Sequence, residues 1–228
     1  MSPASSSLLQ LLWLASPALP VGGFSYSEGL EAAIEAGKVH HEASAQVWLA
    51  DQLALGLARS ELPLLAKAIA AWSAHDAERI VALNAWALAT RETSEMRRQS
   101  EQMGRSMHDW LHQRKPADPR LATLSALSPA PAWPISFALG AAQSGAEVGD
   151  ALLAFGFGWA ENMVQAALKS MSLGQAGGQR ILGVLAAELP AAVDAALALP
   201  DGDRQAFMPM LAILSSQHET QYSRLFRS

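Results

Sequence analysis

Apolar residues recur along this chain at steps of three and four. Alanine and leucine supply most of them, while β-branched residues are sparse. A 3.6-residue period puts every third or fourth side chain on one face, so the pattern points to amphipathic helices throughout. Before Leu57, for instance, Val47 and Trp48 precede the polar pair Asp51-Gln52 and are followed by Leu53 and Leu55. Alanine and leucine are also strong intrinsic helix formers, whereas strands favour the branched residues that are scarce here. The expected fold is all-α, a single compact helical domain of about ten helices over residues 1–228.

The spacing predicts helices over 7–15, 27–37, 43–57, 61–73, 76–90, 91–113, 134–144, 147–155, 157–171, 174–187, 189–199 and 206–225. Caps support several of these starts, among them Ser60 before Glu61-Leu62-Pro63, and Asp76. Pro116, Pro119, Pro129, Pro131 and Pro134 cluster in what reads as the longest irregular stretch, a Pro-rich loop at 115–134. By composition this stretch reads equally as a linker or as a surface loop.

With half of its 228 residues hydrophobic, the chain can bury a sizeable core. A net charge of -5 argues against nucleic acid as a partner, because phosphate binding needs a basic face. Arg91, Arg97, Arg98 and Arg105 do cluster, but they are interleaved with Glu92, Glu95, Glu101 and Asp109. Cysteine is absent, which removes disulfides, thiolate metal sites and Cys nucleophiles. The first basic residue is Lys38, so no positive region of a secretory signal precedes the apolar run Leu8–Ala15. That run is too short to span a bilayer, and later apolar runs contain Glu161, Glu188, Pro190 and Asp194. The expectation is a cytoplasmic protein with no membrane partner.

Several arrangements invite a chemical reading. His108 and His112 fall on one face of a helix, as in His-x3-His metal pairs, but two ligands do not make a site and Gln113-Arg114-Lys115 suggests an exposed helix end. A solvated face is the favoured reading, and the metal is left unknown. His40-His41-Glu42 reads as a helix start. Gly174-Gln-Ala-Gly-Gly-Gln-Arg180 lacks the Gly-Lys-Ser/Thr ending of a phosphate loop. Gly23-Phe-Ser-Tyr-Ser27 imitates a nucleophile elbow but ends in Ser, follows no strand and has no evident acid and base partners. No catalytic residue is assigned, and no enzyme activity is expected.

Three stretches point elsewhere. In Ala15–Glu31, Pro17 and Pro20 fix φ, Gly22 and Gly23 permit a bend, and Ser25 with Glu28 has the spacing of a capping box that would start a helix at Tyr26 or Ser27. In the central helix, Arg97, Glu101, Arg105 and Asp109 alternate in sign at i,i+4 spacing. Gly104 within it costs about 1 kcal/mol relative to Ala and suggests close approach by another backbone. At the end, His218, Glu219, Tyr222, Arg224, Leu225, Phe226 and Arg227 crowd aromatic and basic residues into a segment that is usually loose. This reads either as a partner-docking tail over 215–228 or as a terminal helix packed on its own domain. Lys169 ends an apolar helix, where it can cap the helix dipole.

Together the turn at 15–31, the block Arg91–Ser106, the segment Lys169–Gln179 and the tail resemble the urease accessory protein F family. One departure is Ser172, where that family commonly has Pro. The resemblance implies a single helical domain, which makes 115–134 a loop rather than a linker, and a homodimeric chaperone for nickel insertion. Its implied partners are accessory protein D or H, a nickel-carrying accessory GTPase that holds the GTP, and apo-urease. No tightly bound cofactor is implied; nickel would be in transit. The alignment of Lys169 with a family motif makes it a further partner contact beside the tail. The motif residues Gly22, Gly23, Ser25, Tyr26, Glu28, Arg91, Glu92, Gly104, Gln175 and Gln179 are the implied candidates for contacts or an ion passage. Regulation of the GTPase, as an activating or checking factor, is the alternative; a His-dependent metal enzyme is a third.

Overall fold

The computed structural model describes residues 3–227. Met1, Ser2 and Ser228, which belong to the 1–228 domain and the tail read from the sequence, lie outside them. Eleven α-helices follow one another: α1 (Pro3–Ala15), α2 (Leu30–Glu35), α3 (Glu42–Asp51), α4 (Glu61–Ser73), α5 (Ala77–Ala89), α6 (Ser94–Arg114), α7 (Arg120–Ser125), α8 (Trp133–Ser144), α9 (Val148–Ser170), α10 (Gln175–Ala198) and α11 (Pro209–His218). No strand occurs among the described residues. The all-α single-domain expectation holds.

The centre of the molecule is α8. Its Ile135, Ser136, Phe137, Ala138, Leu139 and Gly140 are consecutive and all buried, so the helix is enclosed on every side. It packs on α4 and α6, and the Trp72 indole N–H of α4 donates to the Ile135 carbonyl at 3.0 Å. Buried Ser136 donates to the Gly104 carbonyl of α6 at 2.9 Å. The four-residue connection 171–174 folds α10 back along α9, and this pair forms the most extensive helix interface.

Boundaries differ from the sequence reading in instructive ways. The stretches 147–155 and 157–171 are one helix, α9, and 174–187 and 189–199 are one helix, α10, with Pro190 inside it. Proline in a helix interior costs about 3 kcal/mol, but Pro190 is exposed, and the stripe Ile181, Leu185, Leu189, Val193, Ala196 stays buried on both sides of it. By length and composition α10 could cross a membrane; here its apolar stripe packs on α9. The 43–57 helix changes to π-helix over Gln52–Leu57. The expected 115–134 loop contains α7, and the 206–225 helix is only Pro209–His218.

Of the caps, Asp76 behaves as expected and accepts the Arg79 N–H at 2.9 Å. Ser60 holds the cap position of α4, but its hydroxyl makes no capping bond. The start placed at Tyr26 or Ser27 is corrected. A short 3-10 turn occupies Gly23–Ser25, Glu28 and Gly29 both take positive φ (49° and 79°), and α2 begins at Leu30. Gly29 holds the cap position, and Ser27, not Ser25, supplies a buried hydroxyl that accepts the first-turn Glu31 N–H at 3.3 Å. Positive φ at Glu28 is uncommon for a residue with a Cβ. It turns this carboxylate away from the helix and into the interior.

A composite terminal surface above two cavities

The tail is fastened by two buried carboxylates from distant helices. Glu31 of α2 accepts the Leu225 N–H at 2.7 Å and the Phe226 N–H at 3.0 Å. Glu95 of α6 accepts from Arg224 at 2.9 Å. Between them lies His218, fully buried, with Nδ1 2.8 Å from Glu95 Oε2 and Nε2 3.1 Å from Glu31 Oε2. A neutral imidazole carries one ring N–H, so the second contact needs a further hydrogen, on the ring or on a carboxyl. Beside this cluster Glu219 Oε1 accepts the backbone N–H of Ser94 at 2.9 Å and of Glu95 at 3.2 Å, capping the N-terminus of α6. The Ser94 hydroxyl, donating to the same oxygen at 2.7 Å, and these backbone bonds hold its carboxyl below the usual range.

The structure places His218, expected as a partner contact, inside the fold, whereas Glu219 is partly exposed beside the start of α6. His218 has no exposed surface, and Glu219 directs Oε1 to the Ser94 hydroxyl and the first N–H groups of α6. Phe226 is also buried, at 6% exposure. The tail divides its residues between two tasks: His218, Glu219, Arg224 and Phe226 hold it down, while Tyr222 and Leu225 face outward, Leu225 at 70% exposure.

The N-terminal turn meets the same place. Arg227 donates its backbone N–H to the Ser25 carbonyl at 2.8 Å and a guanidinium N–H to Gln102 Oε1 at 3.3 Å. That oxygen also accepts the Tyr26 hydroxyl at 2.7 Å, and burial raises the Tyr26 phenol above its usual range. The Lys169 ammonium lies 6.0 Å from the Phe24 ring centre and 5.8 Å from that of Phe226, and Phe24 is 63% exposed. Gly22 and Gly23 shape the turn beside Gln102 and Met103. Four sequence blocks thus contribute to one surface whose exposed residues include Phe24, Lys169, Tyr222 and Leu225.

Below the turn, Glu28 lines two cavities of about 120 and 170 Å³, which also share Gln99, Trp133, Phe155 and Trp159. Its carboxylate accepts from Gln99 Nε2 at 2.8 Å and from the Trp159 indole at 2.9 Å. Burial pushes its proton affinity up, and the charge of Glu61 adds to the effect. Arg91 and Glu92 line the smaller cavity, where Arg91 pairs with Glu61 at 2.7 Å. Gln175 and Gln179 line neither cavity; they are exposed at the start of α10. Gly104 lies elsewhere too, pressed against the backbone of Pro131 and Ala132, as its close-approach reading expected.

His108 is engaged by Ser125 at 2.7 Å and Asp109 at 3.1 Å, and no group of three His, Cys, Asp or Glu suited to a metal is found among the described residues. Asp109 thus pairs with His108 rather than extending the ladder, in which Glu101 bonds both Arg97 and Arg105. Sequence reasoning did not single out Gln99, Gln102 or Trp159, and no local signal marks a lone Gln or Trp as the partner of Glu28 or Tyr26.

Fold and site define an all-α protein that carries a surface built from both ends of its chain, over a polar junction between two cavities. The sequence model of the family described as UreF matches residues 39–186. The chain is similar to "Urease accessory protein UreF" of Methylibium petroleiphilum, 62% identical over 98% of this chain and 95% of that one. It is likewise similar to the protein of that name from Polaromonas sp., 61% identical over 100% and 99% of the two chains, and to that of Paracidovorax citrulli, 59% identical over 98% and 90%. The chain belongs to the UreF family of urease accessory proteins.

Proposed function

We propose that this protein is a non-catalytic urease maturation chaperone. It joins accessory protein D or H to a nickel-carrying GTPase, and GTP hydrolysis on that GTPase releases nickel towards apo-urease. It acts in the cytoplasm as a homodimer. The observation that carries the reading is the composite surface: Phe24, Lys169, Tyr222 and Leu225 stand exposed on a tail and turn that are themselves held by buried bonds. Exposed aromatic and basic residues on a fixed backbone lose little entropy on docking, so they suit a partner surface. The junction at Glu28, with Arg91 nearby, is the proposed lining of an ion route; Gln175 and Gln179 are assigned instead to an outer contact.

The test is activation of apo-urease in a defined mixture of nickel, bicarbonate, GTP, the GTPase and the D or H partner, with this protein added or omitted. Activation is expected only with it. Equal activation in its absence sinks the assignment. Replacing Tyr222 and Leu225 together by Ala should abolish capture of the D or H partner while leaving the fold intact, and Glu28→Gln should impair nickel delivery without impairing capture.

A further inference from the structure

Glu31 and Glu95 come from different helices, yet both turn inward at His218, at 7% and 5% exposure against 0% for the ring. Three of their four oxygens accept from the tail: Glu31 Oε1 takes the Leu225 N–H, Glu31 Oε2 the Phe226 N–H, and Glu95 Oε1 the Arg224 guanidinium. Hydrogen bonds of this kind favour the ionised carboxylate. Glu31 Oε2 and Glu95 Oε2 also face the two ring nitrogens, at 3.1 and 2.8 Å. A neutral imidazole would set a bare lone pair against one of these oxygens, so the arrangement closes only with one hydrogen more.

Where that hydrogen sits follows from basicity and charge. A free imidazole holds its proton to about pH 6.5 and a free glutamate only to about 4.3, so the ring is the stronger base. The charged groups facing the ring are Glu31 from α2, Glu95 from α6 and, through Glu95, Arg224 from the tail. On α11 itself, Glu219 turns to the start of α6, with the Arg98 charge acting on it, and Ser215 bonds Thr93 without bringing charge. Two carboxylates and one guanidinium leave one negative charge unbalanced in the interior, and an imidazolium cancels it. We propose that His218 is a doubly protonated imidazolium that latches the tail, and that losing its proton releases residues 219–227, a pH-sensitive switch beneath the composite surface. Tyr222 and Leu225 lie within that segment, so rising pH dismantles the outward face they form. Above about pH 6.5, where a free imidazole is neutral, opening the latch gives up one proton, and the closed state weakens as pH rises. The switch belongs to the tail and does not depend on which partner docks there.

The experiment follows the full chain from about pH 6.5 to about pH 9. Trypsin cleavage at Arg224 and Arg227 is read by mass spectrometry and divided by that of an unstructured peptide of the same sequence, which removes the pH dependence of trypsin itself. Protection of the tail is expected to fall by up to about tenfold per pH unit, the slope of one released proton. Nitrogen-15 spectra of the imidazoles at about pH 8 should show one ring with both nitrogens protonated. Glu95→Gln is the discriminating variant: its amide N–H can donate to Nδ1 of a neutral ring while its amide oxygen still accepts from Arg224. In that variant the pH slope and the doubly protonated ring should both disappear while the tail stays protected. Flat protection of the wild-type tail across this range overturns the proposal, as does the absence of a doubly protonated ring in the wild-type protein. An undiminished slope in Glu95→Gln, or a tail that it loosens at every pH, overturns it too. Should Glu95→Gln fail to fold, the wild-type slope and spectrum decide alone.

Discussion

His218 concentrates the residue-scale physics of this protein. Its imidazole has no solvent contact and faces a carboxylate at each nitrogen, and both carboxylates also hold other parts of the tail. Removing one partner from a buried ionic cluster costs far more than the cluster's net worth, because the remaining charges lose their water without compensation. His218→Ala should therefore destabilise the protein by about 3 kcal/mol, the lower end for breaking such a cluster. Guanidinium unfolding measures this, and trypsin cleavage at Arg224 and Arg227 should accelerate as the tail loosens. An unchanged midpoint and cleavage rate would show that the tail is held by other means. The sequence made the tail's importance legible through its aromatic and basic crowding. It did not reveal that His218 is an internal brace, because Glu31 and Glu95 carry no local mark of burial.

At the scale of elements, two contacts set how helices sit on their neighbours. The α6 helix passes so near the Pro131–Ala132 backbone that a Cβ on Gly104 would overlap main-chain atoms, which cannot swing aside as a flexible side chain can. Gly104→Ala, although helix-favouring by about 1 kcal/mol, should lower stability by about 3 kcal/mol, the upper range of overpacking; a thermal melt decides the sign. The second contact lies between α6 and α7, where Asp118 binds the Arg120 guanidinium at 2.7 Å and the Gln143 amide at 2.9 Å. The Arg120 hydrogen bond, outweighing desolvation, lowers the Asp118 carboxyl from 3.8 to about 2. Its stabilising contribution is present above the ordinary value and is lost as pH falls through about 2. Asp118→Asn should flatten that acid dependence and leave little difference between the proteins near pH 2, as read from guanidinium midpoints across the acid range. The sequence predicted the glycine's role from its cost inside a helix. The Asp118 site, which closes the turn from Lys115 and pairs with an arginine two positions on, falls in the stretch whose composition reads as loop.

The whole molecule has one contiguous core running from Leu11 to Phe226, with α8 enclosed at its centre. With all helices sharing that core, unfolding followed by tryptophan fluorescence and by far-ultraviolet circular dichroism should give coincident single transitions. Two separated transitions would reveal independent units, for which the Pro-rich segment would be the obvious boundary. That segment is instead stitched into the core. Asn84 donates to the Ala130 carbonyl at 3.0 Å and accepts the Ala132 N–H at 2.7 Å, and Leu121, Leu124 and Leu127 are buried.

What the sequence determined by itself was local or additive: helix as the only regular element, the Asp76 cap, the crowded turn and tail, and the need for space at Gly104. Each follows from propensity, periodicity or the steric demand of one residue. Tertiary structure decided what depends on partners far away in the chain. It carried α10 through Pro190, because a buried stripe on both sides offsets the local cost. It turned Glu28 inward onto Gln99 and Trp159, and it put His218 inside while leaving Tyr222 and Leu225 outside. Burial and charge pairing are properties of juxtaposed surfaces, and only the folded chain creates those surfaces.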